Sequence, residues 1–150
     1  MKRFNFRLQR LLNLKNSLEE RKKTEINRTL AEINSINEEI NGKEKQIEQE
    51  LFKLSRMLSD IDVRMILDWH SYLSKLDDEK KEFEQKKYEK EQELQSKIKE
   101  YLQLSKEKKI LVNLRERKFA EYLNEIDKIE RTYMDEQAIM RFRNGGQENG

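Results

Sequence analysis

The stretch VNLRERKFAEYLNEIDKIERTYMDEQAIM, residues 112 to 140, decides the fold. Val112, Phe119, Ile126, Tyr133 and Met140 recur every seven residues, Tyr122 and Ile129 fall on the interleaved positions, and the residues between them are mostly charged. A helix with this pattern carries a narrow apolar stripe, and such a stripe becomes stable by packing its side chains into the stripe of a second helix. The nearest second helix is the first half of the same chain.

Composition points the same way. Charged residues make up 41% of the 150 positions and hydrophobic ones 35%; Pro and Cys are absent, and three of the four Gly fall in the last six residues. So few apolar residues do not fill a compact core, and their period is that of a helix, so the expected fold is all-α: a long two-helix antiparallel coiled coil, an α-helical hairpin. Without cysteine there are no disulfides and no thiolate metal site. Apolar runs never exceed three residues between Phe4 and Phe142, so no transmembrane segment is expected.

The first 18 residues carry Lys2, Arg3, Arg7, Arg10 and Lys15 and no acid, interleaved with Phe4, Phe6, Leu8, Leu11, Leu12, Leu14 and Leu18. This reads as a basic amphipathic helix facing protein, with a membrane-surface helix or a transit segment as the alternatives. Ile26, Ile33, Ile40 and Ile47 then keep strict seven-residue spacing, after which Leu51 and Leu58 suggest a four-residue slip of frame. Gly42 and Lys43 mark a soft point beside that slip. The segment SDIDVRMILD, residues 59 to 68, holds capping residues and is the expected place for the reversal. The resulting layout is a single coiled-coil hairpin over 1–143, with helix one at about 4–60, a turn at about 59–68, helix two at about 66–143, and a disordered tail over 144–150. Helix two is the longer, so roughly twenty residues near its C-terminal end lack a partner within the chain. The polar stretch 84–93 is set against the Gly42 region and is expected to fray first.

Charge sorts along the chain. Residues 1–18 contribute +5 and residues 105–118 contribute six bases less two acids, whereas 119–136 hold six acids and two bases. The ends that antiparallel folding brings together are basic, and the overhang beyond them is acidic. His70 is the one histidine, there is no glycine-rich phosphate loop, and the carboxylates are spread as on a solvated helix face, so neither an enzyme nor a cofactor or metal site is expected. No nucleic-acid-reading motif accompanies the basic residues, so no nucleic acid partner is expected either.

The two ends also carry a resemblance. FNFRLQRLLNLKNSLEE, residues 4–20, and LVNLRERKFAEYLNEIDKIERTYMDEQAIMRF, residues 111–142, resemble the ends of the flagellar export protein FliJ family, most specifically at Leu114, Arg115, Glu116, Arg117, Glu121, Tyr122, Asp135, Glu136 and Arg141. The resemblance implies a non-enzymatic stalk and chaperone component of the flagellar type III export apparatus, similar to the gamma subunit of rotary F-type ATPases. It implies three partners: the hexameric flagellar export ATPase, whose assembly and activity it promotes, the export gate membrane protein, and export chaperones. It further implies a cytoplasmic protein peripherally associated with the inner membrane at the flagellar base. The candidate ring-binding residues are Phe4, Phe6, Arg7, Leu12, Arg115, Arg117 and Tyr122, with Asp135, Glu136, Arg141 and Phe142 on the overhang; Trp69, His70 and Tyr72 are the candidates for the gate. Two rival readings are a stalk from a virulence-type secretion system and a homodimeric structural coiled-coil adaptor in which each chain is one continuous helix of about 140 residues.

Overall fold

A computed structural model describes residues 3–57 and 62–148, with side chains described through residue 146. Two α-helices, α1 (Gln9–Arg56) and α2 (Val63–Glu148), pack against each other as an antiparallel hairpin, with no strand among the described residues. The helices differ in length, 48 residues against 86. Their contacts group into two compact units, one of Met1–Ser17 with Leu104–Gly150 and one of Leu18–Gln103.

In the unit of Leu18–Gln103 the seam is a mixture of isoleucine and lysine. Shielded positions on α1 recur at 19, 22, 26, 29, 33, 36, 40, 43, 47, 50 and 54, alternating steps of three and four, and those on α2 at 69, 73, 76, 80, 83, 87, 90, 94, 97 and 101 do the same. The expected frame slip at Leu51 does not occur. Leu51 is exposed and the frame runs on through Lys43, Ile47, Glu50 and Leu54. The reason is that the two polar seam residues have partners: Lys43 Nζ lies 2.6 Å from the Glu79 carboxylate, and the Trp69 indole N–H donates to Glu50 at 2.8 Å.

Lysine side chains fill the seam where apolar residues are missing. Lys22, Lys43, Lys80 and Lys97 are mostly shielded along their stems, while their ammonium groups reach carboxylates at the edge. The residue numbers of the cross-helix pairs Lys22–Glu100, Glu32–Lys90 and Lys43–Glu79 each total 122, which fixes one register. In that register the polar stretch 84–93 lies opposite residues 29–38, with Ile33 and Ile36 rather than the Gly42 region, so the lysines cover isoleucine rather than leave a void. At the centre Thr29, 1% exposed, donates its hydroxyl to the Glu25 carbonyl and accepts from Lys97 Nζ at 2.9 Å. That polar layer is satisfied within the seam and resists displacement of one helix along the other.

The helix ends follow from local chemistry. Lys53 and Arg56 lie in the last turn of α1, where cations oppose the negative end of the helix dipole, and the Arg56 guanidinium sits 4.7 Å from the Phe52 ring centroid. The Asp62 carbonyl accepts from the amides of Met65 and Ile66, so α2 opens at Val63 rather than near 66. Ser59 and Asp60, expected in the turn, lie outside the described residues. At the other end α2 is helical through Glu148, including residues 144–148 of the expected disordered tail; Gly145 and Gly146 have no positive φ, and no proline interrupts the helix. Residues 149–150 lie outside the described residues.

Two expectations test this packing. Gly42 is helical and a methyl group built on it meets nothing within 4 Å, so Gly42→Ala raises stability by about 1 kcal/mol in urea denaturation. The pH dependence follows from the ion pairs. Hydrogen bonds to Glu100 and Glu79 hold Lys22 and Lys43 above the ordinary value of 10.5, and bonds from Lys43 and Trp69 hold Glu79 and Glu50 below 4.5. Raised lysines stabilise below 10.5 and lose that contribution as pH rises through their folded values; depressed carboxylates stabilise above 4.5 and lose it as pH falls through theirs. The melting temperature is therefore flat between those two values and falls on both sides, measured by circular dichroism.

Candidate functional site

The unit of Met1–Ser17 with Leu104–Gly150 holds the candidate site. Residues 3–6 are not helical, although a helix from about Phe4 was expected, and α1 begins only at Gln9. The cause is the spacing of the apolar residues. Phe4, Phe6 and Leu8 are shielded while Arg3, Asn5 and Arg7 are exposed, an alternation that an extended segment turns to one side and a helix would scatter. The segment thus lays its aromatic side chains against α2. Phe6, Leu12 and Leu111 form a buried cluster, each 8% exposed, packed by Phe4, Leu8, Val112 and Leu114.

Above this cluster an aromatic group caps the pairing. The Phe4 ring meets Phe119 edge-on at 5.1 Å between centroids and Tyr122 at 5.6 Å, and the Arg115 guanidinium lies 5.6 Å from the Phe4 centroid. Arg115 also donates to the Gln9 side chain at 2.9 Å, and Lys15 pairs with Glu107 at 2.6 Å. A cleft of about 820 Å³ opens beside the group, with Phe4, Leu8, Leu114, Tyr122, Ile126 and Ile129 in its apolar lining and Arg3, Arg7, Lys118, Glu121 and Glu125 in its charged lining, Lys118 paired with Glu121 at 3.5 Å. Such a cleft can seat a bulky apolar side chain of a protein partner and pair with charges beside it.

Beyond the cleft α2 loses its partner. Every residue from 127 to 146 is exposed, among them Ile129 at 58%, Tyr133 at 62% and Phe142 at 85%. The seam here is also reset. Leu111 closes the alternation that runs from Trp69, and Phe119, Tyr122, Ile126, Ile129 and Tyr133 continue in a frame displaced by one residue, which the adjacent pair Leu111 and Val112 bridges.

Of the candidate residues, Phe4, Phe6, Leu12, Arg115 and Tyr122 come together in the cluster and its aromatic cap, and Arg7 lies on the cleft rim. Arg117 is exposed and stands apart from the cleft. On the overhang, Glu136 lines a shallow depression with Ile129, Thr132 and Tyr133, whereas Asp135, Arg141 and Phe142 are exposed off that depression. In the unit of Leu18–Gln103, Trp69 and Tyr72 share a depression with Met65 and Asp68, while His70 lies in a different one with Ser71, Ser74 and Asp78. Residues not singled out from sequence include Lys118 and Glu125; their place within one turn of Tyr122 on α2 is the signal that could have found them.

A scan of family models matches the chain over residues 4–147 to the description Flagellar FliJ protein. The chain belongs to the flagellar FliJ family. Membership makes it a component of the flagellar export apparatus. No curated protein and no solved structure matches the chain. Among the described residues no helix is long and apolar enough to cross a membrane, and no group of carboxylates and histidine is arranged to hold a metal ion.

The cap of this FliJ-family chain is open to a direct check. Phe4→Ala and Phe119→Ala each lower stability, and a double-mutant cycle in urea gives a coupling of about 0.5–1.5 kcal/mol, the range of paired aromatic rings. A coupling of zero would remove the cap from the account.

Proposed function

We propose that this chain is a non-enzymatic stalk of the export apparatus whose terminal unit docks into the hexameric export ATPase, promoting ring assembly and hydrolysis. One observation carries the reading: the aromatic and basic cleft formed by Phe4, Tyr122, Arg3, Arg7 and Lys118 sits where the intramolecular seam ends and an unpartnered stripe begins. A protein partner that covers the cleft desolvates Phe4 and Tyr122, and the Arg and Lys side chains steer its approach. Arg115 acts by holding Phe4 from one side, and Arg117 presents its charge directly to the partner. On the overhang, Asp135, Glu136, Arg141 and Phe142 extend the same surface.

The depression at Trp69 and Tyr72, with His70 beside it on the same helix, is the surface we assign to the membrane export gate. Trp69 is anchored by Glu50 and keeps an apolar edge available next to Met65 and Tyr72. Contact with the gate makes the chain a cytoplasmic protein held peripherally at the inner membrane of the flagellar base, where it also meets export chaperones.

The test is hydrolysis rate and ring fraction of the export ATPase from the same organism with and without the chain. Both rise on addition, and Phe4→Ala combined with Arg7→Glu reduces the rise by roughly tenfold, while Trp69→Ala leaves it unchanged. No rise with the unaltered chain would contradict the stalk reading.

A further inference from the structure

The overhang carries its own statement of what covers it. Its apolar stripe, Ile126, Ile129, Tyr133 and Met140, lies in a continuous helix and is exposed except at Ile126. Glu136 falls on the stripe and Glu125 and Glu130 each lie one residue from a stripe position, and none has an ion-pair partner among the described residues; Asp127 is paired with Arg131 and Glu121 with Lys118 on the helix itself. Elsewhere on α2 the carboxylates flanking the seam are met by lysines from the opposing helix, as in Glu107 with Lys15, Glu100 with Lys22 and Glu79 with Lys43. The overhang repeats this half of the pairing and lacks the lysine half.

A second copy of the overhang does not supply it. Residues 119–136 hold six acids and two bases, so two overhangs brought together set like charge against like charge. Anionic lipid and nucleic acid are disfavoured for the same reason. We infer that the stripe from Ile126 to Met140 receives a basic amphipathic helix of another protein, one with an apolar heptad seam flanked by lysine or arginine.

The geometry also fixes the direction of that helix. The stripe begins at the cleft, where Arg3 and Arg7 line the same opening as Ile126 and Ile129, the third base there, Lys118, being paired with Glu121. A helix C-terminus carries the negative end of the dipole and its free carbonyls, so the C-terminal end of the incoming helix lies at the cleft and its N-terminal end near Met140. It runs antiparallel to α2, as α1 does. A depression of about 350 Å³ lined by Lys128, Ile129, Thr132, Tyr133 and Glu136 gives one of its side chains a seat midway.

The inference deepens the docking reading above and rests on it only in taking the terminal unit to meet a protein. Its test uses the full chain and three labelled synthetic peptides of 21 residues in fluorescence anisotropy. One has Leu and Ile in a heptad seam with Lys on both flanks, one has the same seam with Glu flanks, and one has the Lys composition with the seam scrambled. The Lys-flanked peptide binds, and at least about tenfold tighter than either other peptide. Glu125→Lys with Glu130→Lys and Glu136→Lys, all on exposed or half-exposed positions, reverses the preference toward the Glu-flanked peptide, with circular dichroism unchanged. Equal binding of the scrambled peptide, no binding of the Lys-flanked one, or a chain dimer in sedimentation equilibrium that Ile129→Glu dissolves would each overturn the inference. If ATPase stimulation stands while the peptide preference fails, the inference alone falls; if the preference holds without stimulation, the basic helix belongs to a different partner and the ring reading falls.

Discussion

Lysine stems laid over isoleucine, with their ammonium groups held by glutamates at the edge, are the interaction on which this hairpin depends. A two-helix structure has one seam and no second layer, so any residue that leaves the seam uncovered exposes apolar surface directly to water. Ile26, Ile33 and Ile36 on α1 meet a stretch of α2 that offers Lys87, Lys90 and Lys97 at the seam positions. The methylene groups supply the cover and the head groups find Glu32, Glu93 and the Thr29 hydroxyl. Each such pair, taken singly and near the surface, adds little stability, because solvent screens it. Their collective effect is on register: a slip of one heptad would move Lys97 from Thr29 and Lys43 from Glu79 together.

The terminal unit has its own fastening. Lys15 with Glu107 and the cluster of Phe6, Leu12 and Leu111 hold the N-terminal segment at Phe119 and Tyr122, and nothing among the described residues faces α2 beyond Ile126. An isolated charged helix of some twenty residues is marginal in water, so the overhang is the part of α2 that gains most from a partner. Its exposed stripe and its unpaired carboxylates arise from the same cause, the difference in length between the two helices. The aromatic cap at Phe4 closes the paired seam and leaves a basic cleft at the start of the unpaired one.

Much of the fold was legible in the sequence and some of it was not. The two seven-residue series, Ile26 to Ile47 and Val112 to Met140, announce two helices, and the surplus length of the second announces an overhang. The frame of the seam was not legible at Lys43 and Glu50, because a polar residue at a seam position reads as an interruption until its partner across the seam is known. Glu79 and Trp69 are those partners, and they lie far along the chain. The non-helical start was written in the alternation of Phe4, Phe6 and Leu8, but the basic residues between them equally suit an amphipathic helix. For the site, the resemblance at the two ends named Phe4, Arg115, Glu121 and Tyr122, which the fold brings together, whereas Lys118 and Glu125 become visible only once the cleft beside Phe4 is seen.

The central claim is that α2 has a partner within the chain as far as Ile126 and none beyond it. Amide hydrogen exchange along α2 of the isolated chain tests that claim most directly. The account predicts slow exchange from about Trp69 to Tyr122 and fast exchange from 127 to 146, with the change falling within one or two turns of Ile126. Uniformly slow exchange through residue 146 would contradict it, since the overhang would then already be paired.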